Sequence, residues 1–289
     1  MDAVARIERA LSVALAHADG DGGPPRLGRA MHHAVFPRGA RVRPRLCLAV
    51  SAACGEDDPA AADAAAAAIE LLHCASLVHD DLPCFDDADT RRGRPSVHRA
   101  FGEPLAVLAG DALIVLAFQT LARGAGASRL GPLVGVVGAA VGAPAGIAAG
   151  QAWECEPADT VDLGAYQRSK TGILFAAAAM AGAVAAGAEG GEWRLLGERL
   201  GEAYQVADDI GDAVSNPEEM GKPCGRDRAL GRPSAVAAFG VVGAVERLEG
   251  LAAEAVAAVP PCRGASELRS LIRSEAKRLM PASLARSAA

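Results

Sequence analysis

The stretch HDDLPCFDDADTRRG, residues 79–93, places a dense group of carboxylates directly before two arginines. Its aspartates and arginines are Asp80, Asp81, Asp86, Asp87, Asp89, Arg91 and Arg92. Carboxylates without His or Cys at metal-ligand spacing suit a hard ion such as Mg²⁺, which keeps waters and is typically completed by substrate phosphates. Arginines offer paired donors for phosphate oxygens. The stretch therefore predicts a site where metal ions and arginines together hold a diphosphate.

The metal ions are needed because carboxylates repel phosphates. A carboxylate about 4 Å from a phosphate oxygen is repelled by about 4 kcal/mol per pair of unit charges at an effective dielectric near 20. Asp80 and Asp86 are also about 120° out of line on a straight helix, and Pro83 cannot continue the helix undisturbed. We therefore expect a bulge after Asp81 that returns Asp86 to a position beside Asp80.

A second acidic cluster lies far along the chain, in AYQVADDIGDAV, residues 203–214. Asp208 and Asp212 are one helical turn apart and project from the same face. Like charges at this spacing destabilise a helix unless a cation lies between them. Either cluster alone is equally well explained as a solvated surface. Two clusters that each end an apolar helix favour a metal site shared across a bundle.

Composition limits the classes of protein to consider. The 289 residues are 51% hydrophobic and carry a net charge of −6, so the chain can bury a large core and shows no basic footprint for nucleic acid. The seven cysteines are odd in number and form no C-x-x-C pair, which argues against a zinc site or a disulfide framework. We expect a cytoplasmic protein in a reducing environment.

The sequence also bears on membrane insertion. The N-terminal stretch MDAVARIERALSVALAHA lacks the uninterrupted apolar core of a signal peptide. Residues 131–150 are uncharged but consist mostly of Ala and Gly, with two prolines, whereas spanning helices depend on Leu, Ile, Phe and Val. We interpret this segment as a buried helix and expect no membrane insertion.

Helix formers dominate the segments between clear breakers, which predicts an all-α fold. Loops are expected at 19–25, 54–59, 155–160, 216–233 and 260–264. Core helices are expected at 60–81, 110–122, 169–187 and 197–214. Helices that are apolar nearly all round belong in the middle of a bundle. We expect one domain over residues 1–289.

Five segments in order carry a family resemblance. Two segments resemble the two aspartate-rich motifs of the trans-isoprenyl diphosphate synthases: LLHCASLVHDDLPCFDDADTRRGRPSVH (71–98) and YQVADDIGDAVSNPEEMGKPCGRD (204–227). Three shorter segments also match the family: GARVRP (39–44) lies before the first motif, and GQAWE (150–154) and SKTG (169–172) lie between the two motifs. The resemblance covers nearly the whole chain and is closest to bacterial geranylgeranyl diphosphate synthases. It implies the isoprenoid synthase fold, a helical bundle around a central cavity, and a homodimer. It also implies Mg²⁺-dependent head-to-tail joining of isopentenyl diphosphate to an allylic diphosphate.

The resemblance assigns roles residue by residue. Mg²⁺ would be bound by Asp80, Asp81, Asp86, Asp208 and Asp212, with Asp209, Gln205 and Asp227 orienting water and metal beside them. The allylic diphosphate would be held by Arg91, Lys170, Thr171 and Lys222, and isopentenyl diphosphate by Arg43, His73 and Arg92. The spacing supports the assignment of His73 to the site, because His73 lies seven residues before Asp80 and therefore on the same helix face.

Three positions depart from the family pattern. Ala40 stands where a lysine is usual in the isopentenyl diphosphate site, and Arg38 and Arg41 are the candidates to replace it. Glu154 replaces an aspartate and is long enough to reach a metal. Arg232 replaces a lysine, which keeps the charge but changes its shape.

Chain length depends on the residues that the hydrocarbon tail meets beyond Asp80. The first of these are Ser76 and Ala75, which are small where members that stop at fifteen carbons often carry an aromatic residue. Leu71, Leu72 and the 110–122 helix are candidates for a deeper floor. We expect the twenty-carbon product, geranylgeranyl diphosphate, with farnesyl diphosphate as the alternative.

Rival functions share only part of the pattern. A terpene cyclase has an Asn/Asp–Ser–Glu second motif, and an acidic Ca²⁺-binding protein does not require Arg91, Arg92 and Lys170. A non-catalytic regulatory subunit of a prenyl synthase usually loses aspartates from one motif, and both are intact here.

Overall fold

The computed structural model describes residues 2–18, 22–36, 39–157, 160, 166, 168–214 and 234–279. The described helices are α1 (Ala3–Ala18), α2 (Pro25–Val35), α3 (Val42–Cys54), α4 (Pro59–Asp80), α5 (Val97–Phe101), α6 (Glu103–Gly124), α7 (Ala127–Val141), α8 (Ile147–Ala152), α9 (Ile173–Ala185), α10 (Arg194–Val214), α11 (Ala235–Ala257) and α12 (Ala265–Leu279). A π-helical turn, Arg168–Gly172, precedes α9, and 3₁₀ turns lie at Trp153–Cys155 and Gly191–Trp193. The strands β1 (Thr90–Arg91) and β2 (Arg94–Pro95) form a short antiparallel hairpin. The predicted all-α fold is confirmed.

Helix α4 lies at the centre of the bundle. It begins at Pro59, where the side chain of Asp58 accepts a hydrogen bond from the Ala61 amide at 3.1 Å and caps the helix. Helices α1, α3, α6, α7 and α9 pack around it. Its run of alanines, residues 64–68, is at most 5% exposed, and such small side chains let neighbouring helices approach closely. The C-terminal aspartates of α4 are therefore carried on a rigid, buried helix.

Glycines bring α3, α9 and α10 into backbone contact. A Cβ on Gly182 of α9 would lie 2.2 Å from the Cys47 carbonyl oxygen in α3. A Cβ on Gly197 of α10 would lie 2.4 Å from the Phe175 carbonyl oxygen in α9. Real Cβ atoms do not approach this closely, so only glycine permits these contacts. The contacts hold α9 directly against α3 on one side and against the first turn of α10 on the other.

A second apolar cluster joins α10 to α11. Ala203, Val206 and Ile210 pack against Leu248 and Leu251. This packing buries one face of α10, and Asp208 on the same helix remains exposed. The predicted helix at 197–214 is therefore present, with one acidic face outside the apolar contact.

The expectation of one buried helix over residues 131–150 is wrong. Helix α7 ends at Val141, residues 142–146 form turns, and α8 begins at Ile147. Gly142 and Pro144 favour turns over helix. Only some positions are buried, such as Leu133 and Val137 in α7. The segment is a surface-packed helix, a turn and a second short helix.

Two helices, α4 and α6, are long and apolar enough to cross a membrane by length and composition alone. In α4, 78% of the most apolar window is buried inside the protein, as in the core helix of a bundle. In α6 the share is 39%. Among the described residues, helix α6 therefore keeps much of its apolar surface exposed.

A buried ion pair fixes the N-terminus of α3. Arg41 has a left-handed backbone (φ 50°) and is 2% exposed. Its guanidinium donates to Glu70 of α4 at 2.6 Å, to Glu8 of α1 at 2.9 Å and to the Val35 carbonyl at 2.8 Å. Burial opposes the charge, but the two carboxylates outweigh it and raise the pKa of Arg41. All of its contacts are structural, so Arg41 does not replace the lysine missing at position 40.

Candidate active site

The first aspartate motif turns back on itself at the end of α4. The helix ends at Asp80, and the Asp86 amide donates to the Asp80 carbonyl at 3.0 Å. The Ala88 amide donates to the Asp81 carbonyl at 3.1 Å. These bonds return Asp86 to a position beside Asp80, as the sequence predicted.

Asp80 is a buried carboxylate with an unsatisfied oxygen. Its Oδ1 atom is buried without a hydrogen-bond partner, and the Lys170 ammonium lies 3.6 Å away. Burial raises the pKa of Asp80, the charges of Asp86 and Glu154 raise it further, and Lys170 lowers it. Additional positive charge beside Asp80 would therefore stabilise its ionised form.

Asp81 is bound to an arginine of the same motif. It is 2% exposed, and its Oδ1 accepts from Arg91 Nη2 at 2.5 Å and from Arg91 Nε at 3.1 Å. Burial raises the pKa of Asp81, and the hydrogen bond from Arg91 opposes this rise. The contact holds the Arg91 guanidinium in one orientation next to Asp80.

The other two aspartates of the motif face a surface arginine. Arg99 donates to Asp87 at 3.1 Å and pairs with Asp89 at 2.7 Å. Both aspartates are exposed. They fasten the loop to α5 and take no part in the cluster around Asp80.

In the second motif, three aspartates lie in two environments. Asp208 is exposed and Asp212 is partly exposed, whereas Asp209 is 3% exposed. The Asp209 carboxylate accepts from Gln205 Nε2 at 2.9 Å and from the Ala235 amide at 2.7 Å, where α11 begins. The side-chain amide oxygen of Gln205, Oε1, accepts in turn from the Thr171 hydroxyl at 2.8 Å. This chain of hydrogen bonds ties the π-helical turn, α10 and α11 together.

Lys170 lies between two carboxylates at the edge of the site. Its ammonium donates to Glu154 Oε1, which also accepts from the Tyr166 hydroxyl at 2.5 Å. Gln151 donates to the other Glu154 oxygen at 3.1 Å. A Cβ on Gly150 would lie 2.7 Å from the Lys170 amide nitrogen, so glycine is needed for this approach. The GQAWE and SKTG segments therefore meet, and Glu154 holds Lys170 beside Asp80.

Arg43, in the first turn of α3, is a cation of the site packed against an aromatic ring. Its guanidinium lies over the Phe175 ring, 4.4 Å from the centroid, and Phe175 contacts Tyr204 with 4.8 Å between ring centroids. Its Nε atom is buried without a hydrogen-bond partner. Burial lowers the pKa of Arg43, Glu70 and Asp208 oppose this, and Arg92 adds to it. The influence of Asp208 places the second motif within electrostatic reach of α3.

His73 lies next to Arg43 in a strongly positive environment. Its Nε2 atom is 3.4 Å from Arg43 Nη1. Burial lowers the pKa of His73 well below its usual value, and Arg43 and Arg92 lower it further. The ring is therefore neutral at physiological pH. Because a guanidinium can only donate, the neutral ring offers an acceptor to Arg43.

Arg92 completes the group of cations. Its backbone is left-handed (φ 54°), and its guanidinium lies 2.8 Å from the position of a Cβ on Gly39. Any side chain at position 39 would displace it. This contact brings the GARVRP segment and the arginine hairpin together around one space.

Three aromatic residues of the site were missed by the sequence reasoning. Tyr166 lies four residues before Lys170, and a helical spacing of four would have placed both on one face. Phe175 and Tyr204 were given no role, because the contacts that join Arg43 to Phe175 and Phe175 to Tyr204 link distant segments. Lys222, Asp227, Arg38 and Arg232 lie outside the described residues.

The donor set fits Mg²⁺. Within the described residues, no three His, Cys, Asp or Glu side chains gather closely enough to hold a metal ion by themselves. The unsatisfied, buried Oδ1 atom of Asp80 is nevertheless a hard oxygen donor facing other carboxylates. Mg²⁺ accepts one or two protein carboxylates and takes its other ligands from water and phosphate. The site therefore requires a phosphate-bearing ligand to complete it.

Comparison with known proteins gives the family. The polyprenyl synthetase family model matches residues 24–255. The geranylgeranyl diphosphate synthases of Cereibacter sphaeroides and Rhodobacter capsulatus are 51% and 50% identical, over 97% of this chain and 97% and 98% of theirs. A geranyltransferase from Helicobacter pylori, solved with magnesium and isoprenyl diphosphate, matches with a TM-score of 0.81 and 29% identity, over 95% of this chain and 96% of that one. The chain therefore belongs to the polyprenyl synthetase family of prenyltransferases.

Proposed function

We propose that this protein condenses isopentenyl diphosphate head to tail with allylic diphosphates, depends on Mg²⁺, and makes mainly geranylgeranyl diphosphate. The observation that carries the proposal is a pair of buried polar atoms without hydrogen-bond partners, one on an acidic and one on a basic residue. Asp80 Oδ1 accepts no hydrogen bond, with the Lys170 ammonium 3.6 Å away, and Arg43 Nε donates none. A metal-bound diphosphate supplies a partner for each. The two bacterial relatives that match almost end to end are geranylgeranyl diphosphate synthases, which supports the product.

The carboxylates divide into metal ligands and positioning residues. We propose Asp80, Asp86, Asp208 and Asp212 as the residues that hold Mg²⁺, which when bound would neutralise charge on the departing diphosphate. The contacts of Asp81 favour a different role from the predicted metal ligand, because its carboxylate is used by Arg91. Asp209 likewise orients Gln205 and the start of α11. We therefore propose Asp81 and Asp209 as positioning residues that hold the substrate-binding side chains in place.

The cations divide between the two substrates. Arg91, Lys170 and Thr171 lie beside Asp80 and the second motif and would hold the allylic diphosphate. Arg43, Arg92 and His73 form the other group and would hold isopentenyl diphosphate. Lys222 is proposed, as before, to hold the allylic diphosphate together with the first group.

The chain's own residues then prepare the reaction. Arg91 and Lys170 bind the leaving diphosphate, and the isopentenyl double bond attacks the allylic cation that its departure creates. The proton lost in this step passes to the released diphosphate. Apolar walls from α4 and α9 exclude water, which would otherwise capture the cation.

A single domain over residues 1–289 and a cytoplasmic location complete the proposal. The six described cysteines are free thiols, which supports a reducing compartment.

The metal ligands can be tested by one substitution and a neighbouring control. Asp80→Asn removes an ionised ligand and is expected to lower kcat at least about 100-fold, equal to about 3 kcal/mol of transition-state stabilisation. Chelation of divalent ions is expected to abolish turnover in the wild type. Product formation from isopentenyl and farnesyl diphosphates, measured with and without Mg²⁺, gives both results.

Asp87→Asn is the matched control, because Asp87 lies in the same loop and pairs with Arg99. Its backbone is left-handed (φ 43°), a conformation that asparagine accepts. The control is expected to keep wild-type turnover. Full activity of Asp80→Asn would show that this cluster does not hold the metal, and a wild type without prenyl product would remove the proposed function.

The missing lysine gives a second prediction. Ala40 is exposed next to Gly39, and Arg41 is committed to Glu8 and Glu70. Ala40→Lys is expected to lower the KM for isopentenyl diphosphate about tenfold, because it adds a charge-assisted contact to the diphosphate. The KM for the allylic substrate is expected to change less. Steady-state kinetics with each substrate varied in turn measure both, and an unchanged KM for isopentenyl diphosphate would contradict the prediction.

The two residues predicted to set the product length, Ser76 and Ala75, lie in different environments. Ser76 lies about 40° around α4 from Asp80 and Ala75 about 140°. Ser76 is partly exposed and its hydroxyl donates to the His73 carbonyl at 2.9 Å, whereas Ala75 is 1% exposed. Leu71 and Leu72 are buried in the core. Both small residues keep their proposed role, and Ser76 is the better probe.

Ser76→Phe is expected to shift the main product from twenty to fifteen carbons, because the ring fills space otherwise taken by the tail. Ala75→Phe places a ring among packed side chains and is expected to lower the free energy of unfolding by about 1–3 kcal/mol as well. Chromatography of the extracted prenols measures the product. A fifteen-carbon product from the wild type, or an unshifted product from Ser76→Phe, would contradict the pocket.

We also propose that two copies of the chain pair through α6. Val107, Leu108 and Val115 on this helix are 42%, 53% and 56% exposed. An apolar stripe of this kind is typical of a subunit interface. Val115→Asp is expected to convert a dimer into monomers by sedimentation equilibrium, while Val13→Asp on α1, which is 54% exposed, leaves the mass unchanged. A monomeric wild type would be the contrary result.

A further inference from the structure

The hairpin that carries Arg91 and Arg92 is fastened to α2 by one histidine. We infer that His33, through Arg94 and the Pro95 carbonyl, is a positioning residue that holds the arginine hairpin for isopentenyl diphosphate. The inference rests on the proposed function. It concerns a residue outside all the sequence motifs described above.

The hairpin needs external support because it is very short. Only Thr90 and Pro95, and Arg91 and Arg94, are paired. Two-stranded hairpins are marginally stable by themselves even when longer. Its turn consists of Arg92 and Gly93, both with left-handed backbones. The position of Arg92 therefore depends on contacts made by the rest of the hairpin.

Packing against α4 does not provide that support alone. A small cavity of about 30 Å³, open in part to solvent, lies between the hairpin, α2 and α4. His33, Cys74, Arg91, Arg92 and Arg94 are among its lining residues. The packing beside the hairpin is therefore incomplete, and specific polar contacts add to it.

His33 makes two of these contacts, one with each ring nitrogen. Its Nε2 lies 2.8 Å from the Pro95 carbonyl oxygen, and its Nδ1 lies 3.0 Å from Arg94 Nη2. A carbonyl only accepts and a guanidinium only donates. In these contacts Nε2 therefore donates to the Pro95 carbonyl and Nδ1 accepts from the Arg94 guanidinium. Both polar atoms of the ring are then used on the second strand of the hairpin.

Neighbouring contacts extend this clamp to the end of α2. Arg94 Nη1 donates to the Phe36 carbonyl at 2.9 Å, and the Phe101 ring meets His33 edge-on at 5.3 Å between centroids. Gly39, which supports the Arg92 guanidinium, follows Phe36 by three residues. The clamp therefore fixes Arg92 relative to the segment that also carries Arg43.

The clamp is more important for Arg92 than for Arg91. Arg91 has a second anchor in Asp81, with 2.5 Å between Nη2 and Oδ1. Arg92 lies at the turn, with its guanidinium against Gly39, and its partner on α4 is the Cys74 thiol, a weaker hydrogen-bonding group than the carboxylate that holds Arg91. Loss of the clamp should thus weaken the isopentenyl diphosphate site and largely spare the allylic site.

Three substitutions separate the two contacts. His33→Phe keeps the ring shape and the contact with Phe101 but removes both polar atoms. His33→Gln offers a donor near the Nε2 position, and His33→Asn offers an acceptor near the Nδ1 position. The dissociation constant of isopentenyl diphosphate is measured by titration calorimetry without metal, and the KM of each substrate by steady-state kinetics.

His33→Phe is expected to raise the dissociation constant and KM of isopentenyl diphosphate about tenfold, with less than about a threefold change in the allylic KM. His33→Gln and His33→Asn are expected to give intermediate values, because each keeps one contact. His17→Gln, an exposed histidine on α1, is the matched control and should equal the wild type.

Two results would overturn the inference: unchanged isopentenyl diphosphate binding in His33→Phe, or equal losses for both substrates in all three variants. Thermal unfolding of each variant identifies a general loss of folding, and the Gln and Asn variants remain informative if the Phe variant does not fold. A wild type that binds isopentenyl diphosphate but forms no product would reject the proposed function and leave the clamp to be judged by binding.

Discussion

Buried polar atoms that the folded chain leaves without hydrogen-bond partners are the constraint on which the site depends. Asp80 Oδ1 and Arg43 Nε are both buried without a hydrogen-bond partner, and each unsatisfied polar group costs about 1–3 kcal/mol. A ligand that carries both charges relieves the cost.

The tertiary environment assigns different tasks to chemically identical aspartates. Asp81 orients Arg91, Asp209 caps the start of α11, and Asp87 pairs with Arg99 on the surface. Each of these carboxylates is used by a neighbouring donor. Asp80 is set apart by an oxygen that no donor reaches. A motif rich in aspartate therefore includes ligands together with the residues that keep the ligands and arginines in place.

The arginines are supported in the same way, by contacts with distant segments. Arg91 depends on Asp81, Arg92 on Gly39, and Arg43 on the Phe175 ring. Arg41, only two residues from Arg43, is instead a structural residue buried between Glu8 and Glu70. Neighbours in the sequence thus serve different purposes, since adjacent helical and turn residues face different directions.

The sequence by itself determined the all-α class, the four core helices, the two aspartate clusters and the return of Asp86 to Asp80. These follow from local rules: helical periodicity, the spacing of Asp208 and Asp212, and the break at Pro83. The segment 131–150 was misjudged because composition alone does not say which face of a helix is covered. Only the tertiary structure decided that Asp81 pairs with Arg91, that Lys170 lies between Glu154 and Asp80, and that His33 contacts the second strand of the hairpin. Those contacts join residues far apart in the chain, and their geometry is set by how closely the helices pack, which no local pattern encodes.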